Sequence, residues 1–365
     1  MQSNQNVKNK VSVKQLIMIF VVMNISPAVR FLPVFAAKSA NEAGWISPIA
    51  AMPPVCLLIY LLHKIFNKYK EQNTSEVIKD ILGKYIGTAL LTVHFFWFFF
   101  LTSFFARYNA ERLVSSIYTN VNLNFFIIIS LIVISYILRS GATAIARMGE
   151  ILFPIIFIIL AFLLALLLPR IRIDTIFPIS FNDTMPIIKA SVGSLSLYAS
   201  LFSLFLFSDN IVGKENIGKL YFKGSLVLLI IFIALLLCSF GILGSSVVAR
   251  SPIPFLSVVK QISIFDTIEN IESIVIAEWM LTDALLIATM SILTLNIAKN
   301  LFKLSDTRNN INIMFVLAFI AANSFYKNRL ELDLFAFSIV APFSALFGFG
   351  TPVLLFIVGK LRKKL

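Results

Sequence analysis

The stretch MNISPAVRFLP, residues 23–33, sets Asn24, Ser26, Pro27 and Arg30 inside an otherwise apolar segment. Pro27 has no N–H, and its ring clashes with the carbonyl four residues back, so acceptors near Met23 and Asn24 lose helical partners. In hydrocarbon such groups are costly unless side chains, water or a ligand satisfy them, and Asn24 and Ser26 are placed to do so. One reading is a discontinuous helix whose second half, starting near Ala28, points its positive end at a ligand carboxylate. The other is a plain proline kink. A second run, KASVGSLSLYAS at 189–200, offers Ser191, Gly193, Ser194, Ser196 and Tyr198. Small residues let backbones approach and hydroxyls replace lost helical bonds, so this run lines a cavity or forms an ordinary packing seam. A third apolar segment carries Glu278, Thr282 and Asp283. Asp283 sits nearer mid-membrane with no obvious basic partner at its depth; it binds a ligand ammonium or stays protonated and hydrogen-bonded. These are groups for holding a ligand. No phosphate-binding loop, zinc spacing or nucleophile elbow accompanies them, so neither an enzyme nor a cofactor is expected.

The elements that must position these groups are membrane helices. Of 365 residues, 59% are hydrophobic and 36 are Phe, while only 13% are charged; soluble domains carry about 25% charged residues. Mean hydropathy is +0.91. Apolar windows of about 20 residues predict ten spans: 15–37, 45–66, 86–107, 123–138, 144–168, 187–208, 220–243, 273–298, 311–326 and 334–359. The chain therefore reads as an all-α polytopic membrane protein, a single domain over 1–365. The first segment is read as an uncleaved helix because of its length and its interior Arg30. The shorter amphipathic stretch 253–266 reads as an interfacial or extracytoplasmic helix. With the N-terminus inside, 20 of the 31 Lys and Arg fall in inner loops and ten in outer loops, with Arg30 left over. That bias places both termini in the cytoplasm. The formal charge of +13 lies in short loops beside apolar spans, so the bilayer headgroups, not nucleic acid, are the expected partner. Cys56 and Cys238 lie inside predicted spans with no metal or disulfide spacing.

Ten spans divide into two sets of five, about 15–168 and 187–360. The polar interruptions fall in span one and span six, the corresponding members of each set. Paired interruptions point to an inverted-repeat transporter fold with a ligand site near the bilayer midplane. Three stretches, RFLPVFAAKSANEAGWISPIAAMPP (30–54), ATAIARMGEILFPIIF (142–157) and ENIESIVIAEWML (269–281), resemble the B subunits of spore germinant receptors. These form a permease-like family in the amino acid–polyamine–organocation superfamily. The likeness extends over essentially the whole chain, including a first external turn ending in Gly44-Trp45 and the pattern Arg147-x-x-Glu150-x-x-x-Pro154. It implies a LeuT-type fold with discontinuous spans one and six. It also implies a subunit in the spore's inner membrane that binds a small nutrient, commonly an amino acid, beside a larger A subunit and a lipoprotein C subunit.

Members of the wider superfamily usually have glycine at the first break. This chain has none between 15 and 43, so Arg30 is expected to share in holding a carboxylate. Arginine within a span costs about 2.5 kcal/mol or more and normally faces a cavity or partner, unless it snorkels to the headgroups. Arg30 lies in the outer half of span one. Glu278 lies about 7.5 Å into span eight at 1.5 Å per residue, so an Arg30–Glu278 pair is expected at the outer vestibule. Glu272 and Trp279 match recurring family features. Span three reads HFFWFFFLTSFFARY at 94–108; Trp97 and Phe100 are the candidates for closing over an apolar ligand side chain, and His94 reads as a satisfied core histidine. Asp209 reads as a helix cap. Proton-coupled relatives often carry lysine in span five, and 151–168 holds no charge. Two functions follow: a nutrient-sensing receptor subunit, or an amino-acid transporter of the same fold.

Overall fold

A computed structural model describes residues 10–116, 118, 120–261, 272–326 and 328–365. Helices dominate: α1 (Val13–Ala40), α2 (Met52–Lys68), α3 (Lys84–Ser116), α4 (Leu123–Arg139), α5 (Ala142–Leu167), α6 (Thr184–Tyr198), α7 (Ile217–Leu243), α8 (Glu272–Phe302), α9 (Asn310–Ser324) and α10 (Arg329–Leu361). The helical stretch Val13–Lys68 is 56 residues long, and at 1.5 Å per residue it would reach about 84 Å, far beyond a hydrocarbon core of about 30 Å. A 3₁₀ turn at Asn41–Ile46 folds it back, so it supplies two crossings. With the two shorter apolar helices, α4 and α9, the described residues hold apolar helices in a number consistent with ten spans.

The central element is α1. Ser12 and Gln15 form a reciprocal capping box at its start, which satisfies two of the orphan amides of a first turn. Nearly every residue from Ile19 to Val34 is buried. Gly149 of α5 and Gly224 of α7 admit Ile19 and Ile17 where a Cβ would collide, so three backbones approach closely. A two-stranded parallel pairing joins β1 (Val11–Ser12) to β2 (Ile211–Val212). It fastens the start of α1 to the chain just after the sixth span.

Span one differs from the expected discontinuous helix: α1 runs through Pro27 and Pro33 without interruption. Pro27 removes a single backbone bond, and close neighbours on all sides hold the remaining turns. Asn24 braces the preceding turn by donating to the Phe20 carbonyl at 2.7 Å. Span six is broken. It ends as α6 at Tyr198, turns at Ala199, and continues as a four-residue helix, Ser200–Ser203, and a 3₁₀ turn, Leu204–Leu206. The carbonyls at its far end find donors elsewhere. Thr74 Oγ1 donates to Phe205 O at 2.6 Å, and Asn296 Nδ2 donates to Leu206 O at 3.3 Å and to Phe207 O. Asp209 is not a cap; it pairs with Lys299 at 2.8 Å. Helix α10 contains two π-helical turns, Ala336–Val340 and Leu346–Gly350, and its Gly348 lies against the backbone of Ala199 at the span-six break.

Span three is longer than its apolar window, reaching Ser116 instead of 107. The described part of 253–266 contains a six-residue helix, Pro254–Val259, whose Phe255, Val258 and Val259 are buried; 262–266 lie outside the described residues.

Candidate functional site

A cavity of about 80 Å³ lies where α1, α3, the span-six break, α8 and α10 meet. One water needs about 10–15 Å³ on this measure, so it holds several waters or a small organic molecule. Its wall follows one stripe on each helix. On α1 the stripe is Asn24, Pro27 and Phe31; on α3 it is Trp97, Leu101, Phe104 and Tyr108; on α8 it is Leu286 and Met290. Spacings of three, four and seven put these residues on single helical faces. The break contributes Ser196, Ala199, Ser200 and Ser203, and α10 contributes Val340, Ser344 and Phe347. The aromatic wall is ordered by ring contacts, with Trp97 5.3 Å from Phe347 and stacked at 5.4 Å on Phe100. Asn24 ties α1 to the break, donating to Ser200 Oγ at 3.1 Å. No charged side chain among the described residues lines this cavity.

The stripes on α3 and α8 continue into a buried ionic cluster, which α1 joins through Ser26. Asp283 is three residues before Leu286, Arg112 is four after Tyr108, and Ser26 neighbours Pro27. Arg112 pairs with Asp283 and donates to Ser26 Oγ at 2.7 Å. Ser26 donates to Asp283 Oδ1 and Asn109 to Oδ2, each at 2.5 Å. The guanidinium lies 4.6 Å from the centre of the Trp279 ring. Arg112 and Ser26 are each 2% exposed, so the charge pair is held by a hydrogen-bond set instead of by water. Expecting Asp283 to lack a basic partner is therefore incorrect.

Arg30 forms a second charged tie. Its Nη2 donates to Asp333 Oδ1 at 2.9 Å and its Nη1 to the Tyr108 carbonyl at 3.1 Å, with the guanidinium 3.6 Å from the centre of the Tyr108 ring. The expected Arg30–Glu278 pair is absent. Arg30 is captured by α3 and α10, whereas Glu278 is buried with its Oε1 unpartnered among the described residues. Similar depth along two helices does not fix which faces meet.

Of the candidate binding residues, Asn24, Pro27, Trp97 and Ser196 line the cavity, while Ser26 and Asp283 form the ionic cluster beside it. Arg30 caps the adjoining tie. The others lie elsewhere. Phe100 supports Trp97 from behind. Tyr198 donates to Ser225 O on α7 at 3.1 Å. Thr282 bonds back to Glu278 and Trp279 carbonyls, and Ala28 and Ser194 are packed into the helix bundle with no exposed surface. Trp279 is stacked under Arg112; the side chain of Glu272 lies outside the described residues. His94 is the satisfied core histidine expected, bonded to Leu90 O at 2.9 Å and Thr351 Oγ1 at 3.3 Å.

Sequence reasoning missed Arg112, Asn109, Tyr108 and Asp333. A signal existed for three of them: no Gly or Pro occurs between Thr88 and Ser140, so nothing stops α3 at 107. Nothing in the sequence assigns Asp333 to Arg30.

The family model described as "Spore germination protein" matches residues 10–331. Spore germination protein KB of Bacillus subtilis (strain 168) is 22% identical, with 98% of this chain and 96% of the relative aligned. Spore germination protein YndE of the same organism is 24% identical, with 98% of each aligned. Among solved structures, MhsT in complex with L-phenylalanine superposes with a TM-score of 0.66 at 11% identity, covering 93% of this chain and 89% of that one. Mhp1, a nucleobase-cation-symport-1 family transporter with bromovinylhydantoin bound, gives 0.51 at 14% identity, covering 97% and 94%. At these identities the structural likeness shows the fold, which is LeuT-type.

Proposed function

The chain belongs to the spore germination protein family, and we propose that it is the nutrient-sensing subunit of a germinant receptor in the spore's inner membrane. It binds a small amino acid in the cavity at the span-six break and passes the resulting movement to a larger A subunit and a lipoprotein C subunit. The observation that carries this reading is the lining. An aromatic wall faces an edge of Asn24, Ser196, Ser200, Ser203 and Ser344, with no charged side chain among the described residues. Such a site suits a molecule that is neutral overall, with an apolar end and a polar or zwitterionic end. The bound L-phenylalanine of the MhsT complex supports an amino acid as the class. The small volume favours a compact ligand, or one admitted only when α10 moves off the break. Because the ionic cluster joins α1, α3 and α8, and Arg30 joins α1 to α10, a ligand with different affinity for two arrangements of these helices shifts their balance.

Ser196→Val and Trp97→Ala test the site. Each is expected to raise the amino-acid concentration that triggers germination by about tenfold, the value of roughly one hydrogen bond or one stacked face. The larger subunit should still co-purify. Unchanged nutrient response in both variants would sink the reading. The transporter reading has support from Mhp1, a transporter of the same fold. It predicts steady uptake of labelled amino acid by the purified chain alone in liposomes, with no dependence on partner subunits.

A further inference from the structure

At the end of the bundle that carries the N-terminus, two openings run into one another on the side away from the ligand cavity. The first is a groove of about 700 Å³ along one face of α5, lined by Ser140, Ala144, Arg147, Met148 and Ile151, and by Leu281 of α8. The second, of about 280 Å³, is a polar recess at the α4–α5 turn and the loop after α8, with Arg139, Lys299 and Arg308 and the carboxylates Asp209 and Asp306 on its walls. They share Ser140 and Thr143. From the recess the groove climbs α5 for two to three turns and ends at exposed Ile151 and Leu281, near the middle of the span.

The cations at this end are unequally used. Lys299 is neutralised by Asp209 at 2.8 Å. Asp306 is occupied by the Arg308 amide at 3.0 Å, and Arg139 donates to Asn312 at 3.0 Å. The guanidinium groups of Arg147 and Arg308 are exposed and have neither a hydrogen bond nor an ion pair among the described residues. The opening turn of α5 beside them is capped by no side chain, which adds a positive helix end to the recess. An apolar trough that begins at unpaired arginines and runs toward the midplane matches one chemistry: an anion at the membrane surface carrying a long apolar tail.

We propose that this groove is a site for an anionic diacyl phospholipid, with its phosphate held at Arg147 and Arg308 and one acyl chain lying along α5 to Leu281. The lipid would occupy the contact between α5 and α8, and α8 carries Asp283 of the ionic cluster. Occupancy would thus fix the helix whose Leu286 and Met290 line the ligand cavity.

The test uses the full chain reconstituted in vesicles of equal phosphatidylglycerol and phosphatidylcholine, re-extracted in mild detergent, with the retained lipid counted by mass spectrometry. Phosphatidylglycerol should be retained in preference to phosphatidylcholine. The double variant Arg147→Gln/Arg308→Gln should lose that preference by about tenfold, and Arg147→Lys/Arg308→Lys should keep most of it. Ile151→Trp, which fills the trough and leaves every charge in place, should lower retention as well. Elution profiles and thermal midpoints in neutral lipid should match the parent chain. Equal retention of the two lipids overturns the proposal. So does an Ile151→Trp variant that retains lipid normally, because the trough then holds no chain. If the arginine variants keep their lipid but lose a co-purifying larger subunit, the occupant is a protein and the proposal fails.

Discussion

Arg112→Met is expected to be the most damaging single substitution near the site, lowering stability by about 3–5 kcal/mol, the usual cost of orphaning a buried charge. The guanidinium pairs with Asp283, donates to Ser26 and lies over Trp279. Removing it leaves a carboxylate at 6% exposure held, among the described residues, by the hydroxyl of Ser26 and the amide of Asn109. Asp283→Leu alone should also destabilise the protein, since it removes the carboxylate with which Arg112 pairs. The double variant Arg112→Met/Asp283→Leu should recover much of the loss, because two apolar groups of similar size no longer need solvating. Arg112→Lys should fall between, since one ammonium cannot reach Asp283 and Ser26 in a fork and stack flat on Trp279. Thermal unfolding of the four proteins in one detergent completes the cycle, and a strictly additive double variant would show that the two residues do not act as a pair. The double variant should also leave α1, α3 and α8 untied beside the cavity, so its nutrient response should change even where its stability returns.

The second large effect is expected at Gly348. A Cβ there would lie 2.5 Å from Ala199 Cα and 2.6 Å from its carbonyl oxygen, and nearer still to its Cβ. Gly348→Ala must therefore push α10 away from the span-six break. Backbone cannot yield as a side chain can, so the expected cost is about 3 kcal/mol or more, at the upper end of overpacking penalties. Because Ala199 and Gly348 both line the cavity, the variant should also lose most of its nutrient response. Ala199→Gly added to it removes only one of the three collisions and should restore little. A Gly348→Ala protein with parental melting and response would mean that α10 does not press on the break. Gly348 lies within the second of the two π turns of α10, Leu346–Gly350, and π turns often occur at functional sites.

Several features of this protein follow from sequence physics alone. Apolar runs of span length can only be membrane helices, because hydrocarbon leaves backbone groups no other partners. The serine- and glycine-rich run at 189–200 marked the sixth span, and the break falls at its end, Tyr198 to Ser200. Asn24, Pro27, Trp97 and Ser196 line the cavity; proline and the polar types stood out as out of place in lipid, and Trp97 by its mid-span depth. The proline stretch misled in one respect. A missing N–H costs one bond, and whether the helix then opens depends on neighbours that only the bundle supplies; here α1 stays whole. Charge pairing was beyond the sequence for the same reason. Arg30 had a plausible partner in Glu278 by depth, yet helix rotation turned it to Asp333. Asp283 received Arg112 from a part of α3 that lies outside the apolar window. Composition and period fix that a helix crosses and which residues are costly there. Which costly residues meet is set by the rotation and offset of whole helices, quantities that depend on every contact at once.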